Sequence, residues 1–131
     1  MLEINNSNVP ALGELTLEKL HYLVEHSLHA LVVEHHTPVG FCITFAPNAP
    51  YDSLNYLWFC ERYEQFVYLD RIAFVPDAQG MGLGKVLYQH SCALVDQHAP
   101  RGHVTGSKTA CAHLKGGDVR FAAVDCHSCI T

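Results

Sequence analysis

Charge is scarce in this sequence: charged residues fill 16% of 131 positions, with 8 basic against 13 acidic. A formal net charge of -5 leaves no basic field to draw in a polyanion, which sets aside a broad nucleic-acid surface. It suits a cationic substrate such as an amine better. No run approaches the roughly 18 consecutive apolar residues that a membrane-spanning helix requires, and no membrane partner is expected. Met1-Leu2-Glu3-Ile4-Asn5 lacks a basic stretch leading into an apolar one, so no secretory leader is read there and a cytoplasmic location is the expectation. A disulfide framework is not needed either, although the chain has 6 cysteines: 49% of the residues are hydrophobic, enough for a core without staples. Cys42, Cys60 and Cys92 sit in apolar surroundings and read as small buried thiols. There is no internal repeat and no low-complexity tract, and the length fits one domain over 1–131.

What is present is local pattern. Residues 1–15, with Asn5, Asn6, Asn8 and Pro10, read as irregular. Thr16 is a plausible N-cap for a helix carrying Leu17, Leu20, Leu23 and Val24. Residues 29–34 and 39–45 read as two strands around a His35-His36-Thr37-Pro38 turn, hence an antiparallel hairpin. The aromatic stretch 53–63 reads as a short helix or a loop beside the substrate, with Tyr56, Trp58 and Tyr63 candidates to line it. Residues 66–75 are apolar on both faces, as a central strand requires. A helix is predicted over about 82–97. The expected sheet runs 29–34, 39–45, 66–75, with that helix packed on it.

Between strand and helix lies Gln79-Gly80-Met81-Gly82-Leu83-Gly84-Lys85. A helix opening directly out of a glycine loop is suited to phosphate: its first N–H groups have no partner within the helix, and its dipole favours an anion. Glycines allow close approach, and Lys85 offers a charge-assisted contact. The spacing is not the G-x-G-x-x-G of a dinucleotide fold, and Lys85 is not followed by the Ser or Thr of a nucleotide P-loop.

Gln79 to Gly84 resembles the (Arg/Gln)-x-x-Gly-x-(Gly/Ala) signature of the GNAT superfamily of acyl-CoA-dependent N-acetyltransferases, and Ile72-Ala73-Phe74-Val75-Pro76 resembles the strand and proline turn before it. The resemblance covers roughly residues 15–98. It implies an α/β (α+β) fold: a mixed, mainly antiparallel sheet with helices packed on it, incomplete at both termini relative to the family. It implies acetyl-CoA as co-substrate, with the pyrophosphate on Gln79, Gly80, Met81, Gly82, Leu83, Gly84 and Lys85. Backbone groups of Ile72, Ala73 and Phe74 would meet the acyl and pantetheine portions. The implied reaction is direct attack by the primary amine of a small molecule, or by a protein amino group, on the thioester. A homodimer is compatible with it.

Asp70 and Glu61 are the candidates for a catalytic base. Asp70 with Arg71 places charge inside an apolar strand, which demands pairing or an open cleft. His35, His36 and His90 are read as ordinary polar residues. Beyond the cofactor helix the family supplies an asparagine and a tyrosine, but no asparagine follows Asn55 and no tyrosine follows Tyr88. A catalytically weak or inactive acyl-CoA-binding relative is therefore the alternative. A fragment of a fifth strand is expected within 101–108, and weak packing over 108–131. Cys111, His113, Cys126 and Cys129 offer zinc-type ligands at loose spacing, and no metal is assigned to the site.

Overall fold

The structure is a computed structural model that describes residues 1–10, 12–64, 66–98, 103–105 and 120–123. Helices α1 (Leu2–Asn6) and α2 (Leu17–His26) precede the hairpin β1 (His29–His35) and β2 (Thr37–Phe45). Helix α3 (Leu54–Arg62), β3 (Phe66–Phe74), α4 (Leu83–His98), β4 (His103–Thr105) and β5 (Arg120–Ala123) follow. The strands form one sheet in the order β4-β3-β2-β1-β5, antiparallel except for β3 with β4. The mixed, mainly antiparallel sheet and the β1-β2-β3 order match the sequence reading.

Local signals explain most boundaries. Thr16 caps α2, its Oγ1 accepting from the Lys19 amide at 3.1 Å. Ser53 caps α3 in the same way, accepting from Tyr56 N, so 53–63 is the helix of the two alternatives. The hairpin turns through His36 at φ 64°, which lets the strands run closer to the turn than the sequence suggests. Three details differ from the reading. The stretch 1–15 contains α1; α4 begins at Leu83 rather than Gly82; and residues 120–123, within the segment expected to pack weakly, pair with Leu31–Glu34 as an edge strand. A four-residue strand carries no periodicity of its own, and only its partner reveals it. Residues 108–119 and 124–131, and with them the zinc-type set Cys111, His113, Cys126 and Cys129, lie outside the described residues, as does the side chain of Cys92.

The sheet buries both faces. One packs Val32, Phe41, Ile43, Phe45, Phe66 and Tyr68 against Ile4 of α1, Leu20, Leu23 and Val24 of α2, and Tyr56 of α3. The other packs Leu31, Val33, Cys42 and Leu69 against Leu87 and Tyr88 of α4. The alternation of side chains between these faces along β1 and β2 is what strands covered on both sides require. Fully burying a leucine such as Leu20 or Leu23 is worth about 2 kcal/mol. Cys42 is a buried free thiol; Cys60 is free and half-buried.

Candidate functional site

Strand β3 holds the site through two irregularities. The first is at its outer edge. On the side away from β2, β3 pairs with β4 only from Phe66 to Tyr68. From Leu69 to Phe74 no described strand covers that edge, leaving backbone groups able to take an extended chain, save the Phe74 carbonyl, which side chains already occupy.

The second is a bulge. Ile43 stands opposite Arg71 and Thr44 opposite Leu69, so Asp70 is the extra residue. A regular strand would send Asp70 and Arg71 to opposite faces; the bulge puts both on the face of α1–α3. There Asp70 Oδ2 lies 3.1 Å from Arg71 Nε, with side-chain exposures of 7% and 14%. The contact is an ion pair lacking hydrogen-bond alignment, so these two atoms have only each other's charge. Tyr51 donates its hydroxyl to Asp70 Oδ1 at 2.5 Å. Burial holds the Asp70 carboxyl above its ordinary value, against the opposing pull of Tyr51 and Arg71. Burial, and then the Asp70 carboxylate, pushes the Tyr51 phenol up, so Tyr51 stays a donor.

Asparagines from the amino-terminal segment fasten this region. Arg71 Nη1 donates to Asn5 Oδ1 and to the Gly13 carbonyl, both at 3.0 Å. Asn5 is fully buried and donates to Gly13 O as well. Asn6 both accepts from Leu15 N and donates to Leu15 O, each at 3.0 Å. Asn8 Nδ2 donates to Phe74 O at 3.0 Å and to Ile4 O at 2.8 Å. Gln79 Nε2 donates to the same Phe74 carbonyl and to Asn8 Oδ1, both at 3.2 Å.

Below the free edge is a groove of about 350 Å³, lined by Asn8, Leu69, Ile72, Ala73, Phe74, Gln79, Gly84, Lys85 and Tyr88. Its volume is within the range of small-molecule sites. The structure thus brings Ile72, Ala73 and Phe74 from β3 together with Gln79, Gly84 and Lys85 from the loop and α4. Gly80 and Gly82 set the course of the loop at φ 81° and 76°, conformations that L side chains rarely adopt. Val86 N bonds to Gly82 O at 3.3 Å, opening α4. The amides of Leu83, Gly84 and Lys85 then have no carbonyl behind them within the helix. Met81 is exposed at the loop's tip. Lys85 carries the only formal charge among the lining residues.

The two base candidates part company. Asp70 sits where β3 separates from β4. Glu61 is on the outer side of α3, 75% exposed, 3.6 Å from Arg62, and lines neither this groove nor the cavity described next. Of the aromatic candidates, Tyr56 is fully buried, donating to Ala46 O and accepting from Ala49 N. Trp58 is exposed, its ring 4.0 Å from the Arg62 guanidinium carbon. Tyr63 is exposed as well. A second cavity, about 850 Å³, is instead walled by Tyr22 and Tyr51 with Thr16, Glu18, Lys19, Ala49, Pro50, Asp52 and Leu57. Sequence reasoning missed Asn8, Leu69, Tyr88, Tyr22 and Tyr51. The one signal was a cluster of asparagines in a segment short of other pattern.

Among the described residues no group of three or more His, Cys, Asp or Glu is placed to hold a metal ion, and no helix is long and apolar enough to cross a membrane.

Comparison with known proteins bears on the fold and the family. No curated protein sequence matches the chain. Among solved structures it is similar to an aminoglycoside antibiotic 6'-N-acetyltransferase of Acinetobacter haemolyticus, at 15% identity and a TM-score of 0.54, covering 81% of this chain and 70% of that one. It is also similar to an integron cassette protein from the mobile metagenome of V. cholerae, at 16% identity and a TM-score of 0.44, covering 81% of this chain and 64% of that one. At such identities only the first carries weight, and it speaks to fold alone. The sequence model of the acetyltransferase (GNAT) family matches residues 3–106. The chain belongs to the GNAT family of acetyltransferases.

Proposed function

We propose that the protein transfers an acetyl group from acetyl-CoA to a primary amine. One observation carries the reading: a single groove joins the uncovered edge of β3 to the free amides opening α4, with Lys85 beside them. In this reading Leu83, Gly84 and Lys85 N–H groups and the Lys85 ammonium hold the pyrophosphate. Gly80 and Gly82 shape the loop, and Gln79 ties it to the end of β3. Pantetheine lies along Ile72–Phe74 as an added strand would, its amides paired with backbone groups. Acetyl-CoA contributes an activated acyl carbon.

The chain's own part is proton transfer and positioning. An amine attacks only as the free base. The ammonium gives one proton to the Tyr51 hydroxyl, which passes its own to the Asp70 carboxylate. The nitrogen lone pair forms the new C–N bond, the C–S bond breaks, and its electron pair leaves on sulfur. The second amine proton ends on that sulfur, so the products are an amide, CoA thiol and the proton held by Asp70. Asp70 fits this role better than Glu61 because burial raises its proton affinity and Tyr51 connects it to a cavity. Such a reaction belongs where acetyl-CoA is made available, in the cytoplasm.

The test is calorimetric titration with acetyl-CoA, followed by thiol release across a panel of primary amines. Binding with amine-dependent release supports the proposal. Binding without release from any amine favours an acyl-CoA-binding protein, and no binding by folded protein refutes the site.

A further inference from the structure

The second cavity lies against the sheet face that carries α1–α3, bounded by the first turns of α2 and by residues 49–52. At its solvent side the Lys19 ammonium is 3.8 Å from Asp52 Oδ1 and 5.3 Å from the centre of the Tyr22 ring. A carboxylate beside an aromatic face is a binding arrangement for ammonium, and here the chain's own lysine fills it. The Tyr22 hydroxyl is already engaged, donating to Pro50 O at 2.5 Å, so the ring is braced and its face is what remains to offer. Glu18 adds a second carboxylate to the wall. Deeper in, Tyr51 lines the same cavity and bonds to the buried Asp70.

We infer that this cavity seats the acceptor, and that the acceptor is an amine bearing a second ammonium group, which anchors where Lys19 now lies between Asp52 and the Tyr22 ring. The inference rests on the acetyl-transfer reading above. The cavity has two positions that favour amines for different reasons. One, at Asp52 and Tyr22, stabilises a charged ammonium. The other, at Tyr51 and Asp70, removes a proton from one. A molecule with a single amino group can satisfy only one of them at a time, and a diamine satisfies both. The two positions are near one another, since Tyr51 and Asp52 are consecutive residues on the wall of one cavity and Tyr51 bonds to Asp70. Displacing Lys19 is easy: it is 43% exposed, Asp52 is 90% exposed, and exposed pairs of this kind are weakly held. Once Lys19 swings out, Glu18 and Asp52 face the ligand without an internal counter-charge.

The experiment compares 1,5-diaminopentane with pentylamine, which has the same carbon chain and one amino group fewer. Binding to the protein alone is measured by calorimetry, and kcat/KM by thiol release with acetyl-CoA. The diamine should bind about tenfold more tightly and react with a correspondingly higher kcat/KM. Asp52→Asn should shrink the gap between the two ligands. Lys19→Met should strengthen diamine binding several-fold. Arg62→Gln, which removes the same charge on the outer side of α3, should not. Equal binding of diamine and monoamine, or equal effects of K19M and R62Q, would overturn the inference. The arms separate it from the reading beneath it. Amine-dependent release that ignores the second amino group leaves acetyl transfer standing and removes the diamine site. Failure to bind acetyl-CoA removes acetyl transfer, while the calorimetric arm still decides whether the cavity prefers a diamine.

Discussion

Gly84 offers the sharpest separation of cofactor binding from folding. It lies in the first turn of α4 and lines the groove. A Cβ added there would meet Phe74 Cε2 at 3.5 Å, an ordinary contact, so the helix has room for it. Helix propensity favours the change: alanine is better than glycine by about 1 kcal/mol in a helix, and valine by less. Gly84→Ala should therefore leave the melting temperature unchanged or raise it by about 3–6 °C. Binding should move the other way. Valine at this position props the pyrophosphate off the amides of Leu83–Lys85. Losing two charge-assisted hydrogen bonds at about 1.5 kcal/mol each removes about 3 kcal/mol, which is roughly 100-fold in Kd. Alanine should give a smaller loss in the same direction. Gly82 is the wrong residue for this test despite its place in the signature: at φ 76° a side chain strains the backbone, by about 1–2 kcal/mol. Gly82→Ala should lower the melting temperature whatever it does to binding. Calorimetry with acetyl-CoA beside a thermal melt reads both quantities. A folded Gly84→Val protein with wild-type affinity would show that the opening of α4 does not hold the cofactor.

Four further outcomes are expected. Asp70→Asn keeps the shape and mimics the neutral carboxyl that burial favours, while Arg71 keeps Asn5 and Gly13 as partners, so stability at neutral pH should hold or rise in a denaturant titration; a loss of about 3 kcal/mol would mean that the ion pair outweighs the cost of burying the carboxylate. The pH dependence has a definite sign: a carboxyl whose folded pKa lies above its unfolded value contributes stability that is fully present below the unfolded value and lost as pH rises through the folded one. Activity should climb across the same window as Asp70 becomes a base, and a pH–rate profile whose rising limb survives unaltered in a folded Asp70→Asn enzyme would remove it from that role. Gly40→Ala would place a Cβ 2.3 Å from Phe74 Cδ1 and 3.0 Å from the Ala73 carbonyl, forcing the ring toward the groove; about 1–3 kcal/mol of stability should be lost together with acetyl-CoA affinity, and a neutral result in both assays would contradict the packing. Asn8→Ala removes the part-buried hydrogen bonds to Phe74 O and Ile4 O, together worth about 1–3 kcal/mol, and the exposed ones with Ser7 Oγ and Gln79 Nε2; KM for acetyl-CoA should rise more than kcat falls, and an effect on kcat alone would place Asn8 elsewhere in the mechanism.

What the sequence determined by itself is whatever short-range physics controls. Thr16 caps α2 because a hydroxyl three residues before an amide can reach it. The run 66–75, apolar on both faces, predicts a strand covered on two sides, since side-chain direction along a strand is set locally. The glycines of 80–84 mark the turn from strand to helix, and with it the resemblance to the family whose sequence model matches residues 3–106. Tertiary structure decided the rest, because the energies concerned belong to pairs far apart in the chain. Asp70 and Arg71 share a face only because β2 registers against β3 with one residue left over, and neither strand alone carries that mismatch. Asn5 and Asn8 look like irregular chain until residues 66 positions away supply Arg71 and the Phe74 carbonyl as partners. Gly82 differs from Gly84 not in kind but in φ, one left-handed before the helix and one inside it. The second cavity needs α2, residues 49–52 and α3 placed side by side, so Tyr22 and Tyr51 come to line one cavity only in the folded chain. A buried charge or amide takes whichever partner the fold brings within about 3 Å, and that distance is a property of the packed molecule rather than of either segment.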